Sequence, residues 1–290
     1  MLIWSQKRIT FTAQCIYMKF RFKILLCCLG LFFFLNESKG QSSNFSVGGA
    51  HTLSLGSAGT MFTGIESIYT NPAGLTELER YGFDVSYDRR FNLSELATVS
   101  LAGAKKLGRN AIGVSVSRFG FASYSESRAG LTYARKLFDK VSIGGSFHYL
   151  GYNIENYGNA SRFTFDIGLQ SEINDKLSVG VYIFNPASIA ITDEQDVPSR
   201  MSIGLRYAAS KKARIYIDVS KTINRNPEFK FAVDYQVVEA FSFRGGANIT
   251  QSSLHFGPAY HMKNGLSIIG GYSFDNRLGH TTGLSISYSR

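Results

Sequence analysis

From Tyr81 onward the chain alternates in polarity at every second residue. Tyr81, Phe83, Val85 and Tyr87 interleave with Gly82, Asp84, Ser86 and Asp88. Phe163, Phe165, Ile167 and Leu169 interleave with Arg162, Thr164, Asp166 and Gly168, and Phe229, Phe231, Val233 and Tyr235 with Lys230, Ala232, Asp234 and Gln236. A period of two sends one class of side chain to each face of an extended strand, and is incompatible with a helix over the same residues. Fourteen such segments follow one another: residues 81–90, 94–104, 109–119, 127–136, 140–153, 161–172, 176–185, 200–209, 213–222, 227–236, 240–249, 252–261, 265–275 and 279–289. Most are near the roughly ten residues with which a tilted strand crosses a bilayer, and the number is even, as in bacterial single-chain barrels. Composition agrees: 23 Phe, 16 Tyr and 29 Gly against only 18% charged residues favour strands over surface helices.

The connections point the same way. Those after even-numbered segments are tight (residues 105–108, 137–139, 173–175, 210–212, 237–239 and 263–265). Several after odd-numbered segments are longer (120–126, 154–160, 186–198 and 223–226), although 250–251 and 276–278 are short. Short turns at one end and longer loops at the other is the outer-membrane arrangement. A secreted β-sandwich also alternates. It gives no place, however, to charges set mid-strand on the non-apolar face: Asp84, Arg128, Asp166, Arg206, Asp218, Asp234 and Arg244. In a barrel these face the lumen and pair there, because an unpaired buried charge is costly. The expected fold is all-β: a transmembrane antiparallel up-and-down barrel of about 14 strands, over residues 81–290.

Residues 1–40 differ in kind. Lys19, Arg21 and Lys23 precede an uncharged apolar run, Ile24 to Leu35, and a short polar stretch ends at Gly40. This is the order of a secretory signal, with Met18 as the expected start; the run is well short of the roughly 20 residues of a spanning helix. Cys15, Cys27 and Cys28 all fall in this region, so the expected mature chain has no cysteine and no disulfide. It keeps 25 basic and 20 acidic residues, scattered, which gives no basic patch for nucleic acid.

Residues 41–80 do not alternate. Small residues dominate, residues 64–68 suit a short helical turn, and Asn71-Pro72 makes a rigid reversal. The residues Gly48-Gly49-Ala50, Leu55-Gly56, Ala58-Gly59-Thr60 and Asn71-Pro72-Ala73-Gly74-Leu75 resemble the N-terminal plug of the FadL-like (OMPP1/FadL/TodX) outer-membrane transporter superfamily. They resemble more closely its compact PorV/PorQ branch, which is linked to type IX secretion. The resemblance implies a small plug, or hatch, inside a fourteen-stranded barrel, in the outer membrane of a Gram-negative bacterium. Gly48, Gly49, Ala50, Gly56, Gly59 and Asn71 to Leu75 would form its motif. It also implies outer-membrane lipid as surroundings, and either secretion-system proteins or a small hydrophobic ligand as partner. The mature chain of about 250 residues is shorter than FadL-type transporters and lacks their large loops. The length favours a PorV/PorQ-type platform for secretion or surface attachment, with a docking surface such as residues 193–198. A FadL-like channel for small hydrophobic compounds is the alternative.

Catalytic signatures are weak. His51, His148, His255, His261 and His280 lie in no zinc-ligand spacing. Ser253 and His255 share a strand face, but a serine hydrolase also needs an acid in line with them. We expect no enzyme, no metal and no cofactor.

Overall fold

The computed structural model describes residues 48–191 and 196–290. The expected signal peptide, its start at Met18 and residues 193–195 of the expected docking loop lie outside the described residues. Fourteen antiparallel strands close into one barrel in sequence order, each pairing with its chain neighbours and β1 with β14. They are β1 (Tyr81–Arg89), β2 (Ala97–Leu107), β3 (Asn110–Gly120), β4 (Tyr124–Phe138), β5 (Val141–Ile154), β6 (Gly158–Glu172) and β7 (Leu177–Phe184). The others are β8 (Arg200–Ala208), β9 (Ala213–Thr222), β10 (Glu228–Val238), β11 (Phe241–Asn248), β12 (Ser253–His261), β13 (Leu266–Asp275) and β14 (Gly279–Ser289). Reciprocal hydrogen bonds between the backbones of Tyr81 and Arg290 (2.7 and 2.9 Å) finish the seam. Both ends of the barrel segment therefore lie at one rim, the terminal end; connections after odd-numbered strands lie at the other, the distal end.

The alternation sorts as its period requires. Phe83, Val114, Leu131 and Phe163 on the outward phase are 56–63% exposed, whereas Asp84, Thr132 and Thr164 on the inward phase are at most 1% exposed. A continuous apolar outer surface of this extent is stable only under lipid or a partner.

Three sequence expectations are corrected. The second strand begins at Ala97, not at residue 94, because Ser94–Leu96 forms a 3-10 turn; it runs on through Leu107, and the reversal sits at Gly108 with φ +65°. The loops expected at 120–126 and 154–160 shrink to residues 121–123 and 155–157, because β4, β5 and β6 extend to 14–15 residues. Their distal ends pair regularly, Gly120↔Ser125 and Ile154↔Gly158, although polar residues there break the alternation. The loop asymmetry is thus milder than expected and rests on residues 90–96 and 185–199. Within β12, Pro258 has no N–H, and the β12–β13 ladder passes from Phe256↔Tyr272 to Ala259↔Ile269 without pairs between.

Residues 48–80 lie inside the barrel. They comprise helix α1 (Gly49–Ser54) and two 3-10 helices, Gly64–Tyr69 and Pro72–Glu77. Asn71 caps the second, accepting from Ala73 N at 3.2 Å, with Pro72 at its first position. Leu55, Met61, Leu75 and Leu78 are at most 1% exposed.

Candidate functional site

The lumen is the place where inward residues and the inner segment meet. The wall is cut back there. Facing pairs of small residues recur around it: Ala104↔Gly113, Ala134↔Gly144, Gly144↔Gly168, Gly180↔Gly204, Ala232↔Gly246 and Gly271↔Gly283. The space they leave is filled by backbone and side chains of the inner segment. A Cβ at Gly144 would lie 2.6 Å from the Pro72 carbonyl carbon, and one at Gly246 2.9 Å from that of Leu55. At Gly168 it would overlap the Asn71 amide oxygen. Apolar contact completes the fit: Ile65, Ile68, Leu75 and Leu78 pack on Ala102, Ala104, Ala111 and Ala134, and Phe62 meets Tyr216 edge-on at 6.0 Å.

Polar contacts fix the segment's register. Asn71 Nδ2 donates to Thr60 O (2.9 Å) and to wall carbonyls of Leu169 and Val181 (3.3 Å each). Gln170 Nε2 donates to Thr60 O and Phe62 O, and Ser142 Oγ shares a 2.8 Å bond with Thr76 Oγ1. On the opposite wall Ala50 N donates to Ser285 Oγ at 2.9 Å.

All seven predicted lumen charges face inward, but they do not form one cluster. Asp84 accepts from His51 Nε2 (2.9 Å) and the Tyr69 hydroxyl (3.1 Å). Glu66 lies 2.9 Å from His51 Nδ1 and 3.4 Å from Arg244, and Arg244 in turn lies 3.7 Å from Asp234, which also binds Arg214 at 3.0 Å. Burial by itself would lower the His51 pKa, but Glu66 and Asp84 on either side outweigh it and hold it at about 9. Burial would likewise raise Glu66, but His51 and Arg244 keep its carboxyl well below the usual range. Asp218 Oδ2 accepts from Thr60 N at 2.9 Å. Asp166 gathers His148 (2.7 Å), Tyr182 (3.0 Å) and Ser146 N (3.0 Å), with Arg128 at 3.6 Å and over the Phe184 ring. Arg206 donates to Ser178 Oγ at 3.2 Å. His51, Glu66, Tyr69, His148 and Tyr182 were not singled out as site residues from the sequence. His148 carried a signal, since it shares the inward phase of β5 and faces Thr164, next but one to Asp166.

The distal lumen divides in two. Over β5–β7, the described residues on either side of 192–195 in the β7–β8 connection reach inward. Ile191 and Val197, 3% and 2% exposed, pack on Leu150 and Tyr152. Asn185 donates to Val197 O at 2.7 Å and accepts from Thr164, while Arg162 binds the carbonyls of Ala190 and Ile191. The described part of the expected docking loop therefore points partly inward, with Val197 buried. The other half holds a cavity of about 650 Å³ between the inner segment, the distal ends of β9 and β10, and the distal connections of β1–β2, β11–β12 and β13–β14. Its lining is polar. Asp88, Asp218, Glu228 and Asp275 are balanced by Arg90, Arg200, Lys230 and Arg277, among many hydroxyl side chains. His255 lines it too. Its Nε2 bonds Ser253 Oγ at 2.8 Å, but its Nδ1 bonds the Leu53 carbonyl at 3.0 Å, so no carboxylate completes a catalytic triad there.

No protein-family model matches the chain, and no curated protein matches it. Solved structures do. The CymD monoaromatic hydrocarbon channel superposes with a TM-score of 0.64 at 14% identity, over 86% of this chain and 99% of that one. The Ralstonia pickettii toluene transporter TbuX gives 0.66 at 13% identity, over 85% and 99%. A Pseudomonas aeruginosa FadL homologue gives 0.60 at 11% identity, over 83% and 98%. The fold of this chain is therefore similar to that of FadL/TodX-type outer-membrane channels, which are transport proteins rather than enzymes.

Proposed function

We propose that this chain is a FadL-like outer-membrane channel for a small compound, with residues 41–80 as its plug and residues 1–40 as a signal removed on export. The observation that carries this reading is the combination of a closed fourteen-strand barrel, an inner segment seated in a glycine-lined wall, and a cavity at the distal rim. The apolar outer surface supports insertion in the outer membrane of a Gram-negative bacterium. The distal end is the extracellular one, because the longer loops are there. The compound enters the cavity, and passage requires the segment at Asn71–Leu75 to move, since it fills the lumen below. The named cargo of the similar structures is monoaromatic hydrocarbon or toluene; the polar lining here supports the transport role without that cargo.

A second reading has its own support. Asn71, Ala73 and Leu75 are 0% exposed, and Ile191 and Val197 of the β7–β8 connection are buried. A closed lumen suits a PorV/PorQ-type barrel that serves type IX secretion or surface attachment as a platform. Flux measurements on the purified chain in proteoliposomes separate the two. Solute uptake above empty vesicles supports the channel. Absence of flux, together with secretion substrates retained inside a deletion strain, overturns it in favour of the platform.

A further inference from the structure

We infer that the outer wall of β2–β5 carries, at its terminal end, a binding site for an anionic phospholipid of the leaflet at that end. This rests on the membrane reading of the apolar outer surface and is independent of transport. The charged side chains on the outward phase of the fourteen strands are Arg89, Lys105, Arg118, Arg135 and Lys221, and all five are basic. No carboxylate shares that phase among the described residues. Charge on a lipid-facing strand is tolerated near an interface, where a long side chain reaches the headgroups. Lys105 and Arg135 stand at that level. Lys105 lies across from Tyr81 and Ile112, and Arg135 from Asn110 and Ile143. Tyr81, Tyr133, Tyr207, Tyr235, Tyr260 and Tyr288 share the outward phase toward the terminal ends of their strands, as an aromatic girdle does at the headgroups.

Both cations are exposed, and neither has an ion-pair partner among the described residues. The acids of this arc are engaged or set apart. Asp139 is held by Arg109 at 2.5 Å and Glu77 by Lys136 at 3.0 Å, while Glu79 and Glu172 form no ion pair with Lys105, Lys106, Arg135 or Lys140. Lys106 and Lys140 thus add to the positive charge. Lys105 and Arg135 are two strands and two residues out of line, which sets their Cα atoms roughly 12 Å apart. Side chains of this length can meet on one phosphate, which a guanidinium binds through two N–H groups. The wall beside them is hollowed. Gly145 is on the outward phase across from Tyr133, and a Cβ there would meet nothing within 4 Å except the Asp166 carbonyl oxygen, at 3.2 Å. One step further from the rim the row is apolar, Val114↔Leu131↔Phe147. An acyl chain can lie over the hollow with its phosphate at the cations. A headgroup carrying its own ammonium would be repelled by them, so the site favours a net negative one.

The test is native mass spectrometry of the purified full chain in a neutral detergent, titrated with dioleoyl phosphatidylglycerol and, as comparator, dioleoyl phosphatidylcholine. Phosphatidylglycerol is expected to be retained at low stoichiometry and in preference to phosphatidylcholine. Lys105→Gln and Arg135→Gln are each expected to weaken it about fivefold, and Arg135→Lys to lose less, in barrels that keep their heat-modifiable mobility. Lys211→Gln, which removes an exposed cation from the β8–β9 turn, should leave binding unchanged. Equal retention of the two lipids overturns the inference. So does equal weakening by Lys211→Gln, or unchanged binding in a folded double variant, Lys105→Gln with Arg135→Gln. Reconstitution keeps this inference apart from the membrane reading beneath it. Folded insertion into phosphatidylcholine vesicles, with no preference for phosphatidylglycerol, removes the site and leaves the membrane barrel standing. A chain that stays soluble without detergent and inserts into neither lipid removes the membrane reading, and the site with it.

Discussion

The two sides of the lumen are built from the same alternating strands and end up in different states. Over β5–β7, Leu150, Tyr152 and Phe184 form an apolar shelf on which Ile191 and Val197 settle, and the charges beneath are consumed in the Arg128–His148–Asp166–Tyr182 network. Over β8–β14 the inward phase carries Ser, Thr, Asn and paired charges instead, and a cavity remains. The difference teaches that closure is local. An apolar shelf near the rim gives a connection something to bury, at about 25 cal/mol per Å², and a hydroxyl-rich wall does not. A long connection is not sufficient by itself, for the β1–β2 connection is also long and leaves Leu93 exposed.

The largest effect is expected where the inner segment is tied to the wall by charge. Arg244→Met leaves Glu66 and Asp234 without their shared cation. Breaking such a buried set costs about 3–5 kcal/mol, so the inner segment should become protease-sensitive while the barrel stays folded. Unchanged protection would mean that the seat, not the charge, holds it. Next, Gly168→Ala adds one carbon where the Asn71 amide sits, and overpacking of this kind costs roughly 1–3 kcal/mol. Thr222→Leu, at a half-buried position lining the cavity, is expected to change the denaturation midpoint far less. Equal losses for the two would erase the distinction between the sides. The smallest effect is that of pH. The His51 pKa rises from an ordinary 6.5 to about 9 on folding, so its contribution is full below 6.5 and fades as pH rises through 9. Glu66 shifts down, so its contribution is present above about 4.5 and fades in acid. Hydrogen exchange in α1 and Gly64–Tyr69 should therefore speed up on both sides of a plateau between these values, beyond the intrinsic pH dependence. His51→Gln should abolish the alkaline limb.

The barrel was legible in the sequence because lipid outside and packed polar groups inside impose a period of two on every strand. Legibility failed where that constraint lapses. The distal ends of β4–β6 carry Ser125, Glu126, Asn159 and Ala160, which pair as strand without alternating. The inward position of the seven charges followed from phase alone. Their partners did not, because His51, Glu66 and Tyr69 sit on a segment with no period. Glycine was counted as composition, whereas its meaning lay in phase: Gly113, Gly144, Gly168, Gly180, Gly204, Gly246, Gly271 and Gly283 all fall on the inward set. The cavity was hardest to foresee, since serine and threonine read alike whether they face a packed segment or open space.

Thiol labelling tests the division of the lumen most directly, because the only cysteines of the chain, Cys15, Cys27 and Cys28, fall within its first 40 residues. Ser57→Cys lines the cavity at an exposed position, and Ser146→Cys lies buried beside Asp166 on the closed side. A membrane-impermeant maleimide applied to intact cells is expected to label the first rapidly and to leave the second unreacted until the protein is denatured. Equal labelling of both, or rapid labelling of Ser146→Cys alone, would contradict the account.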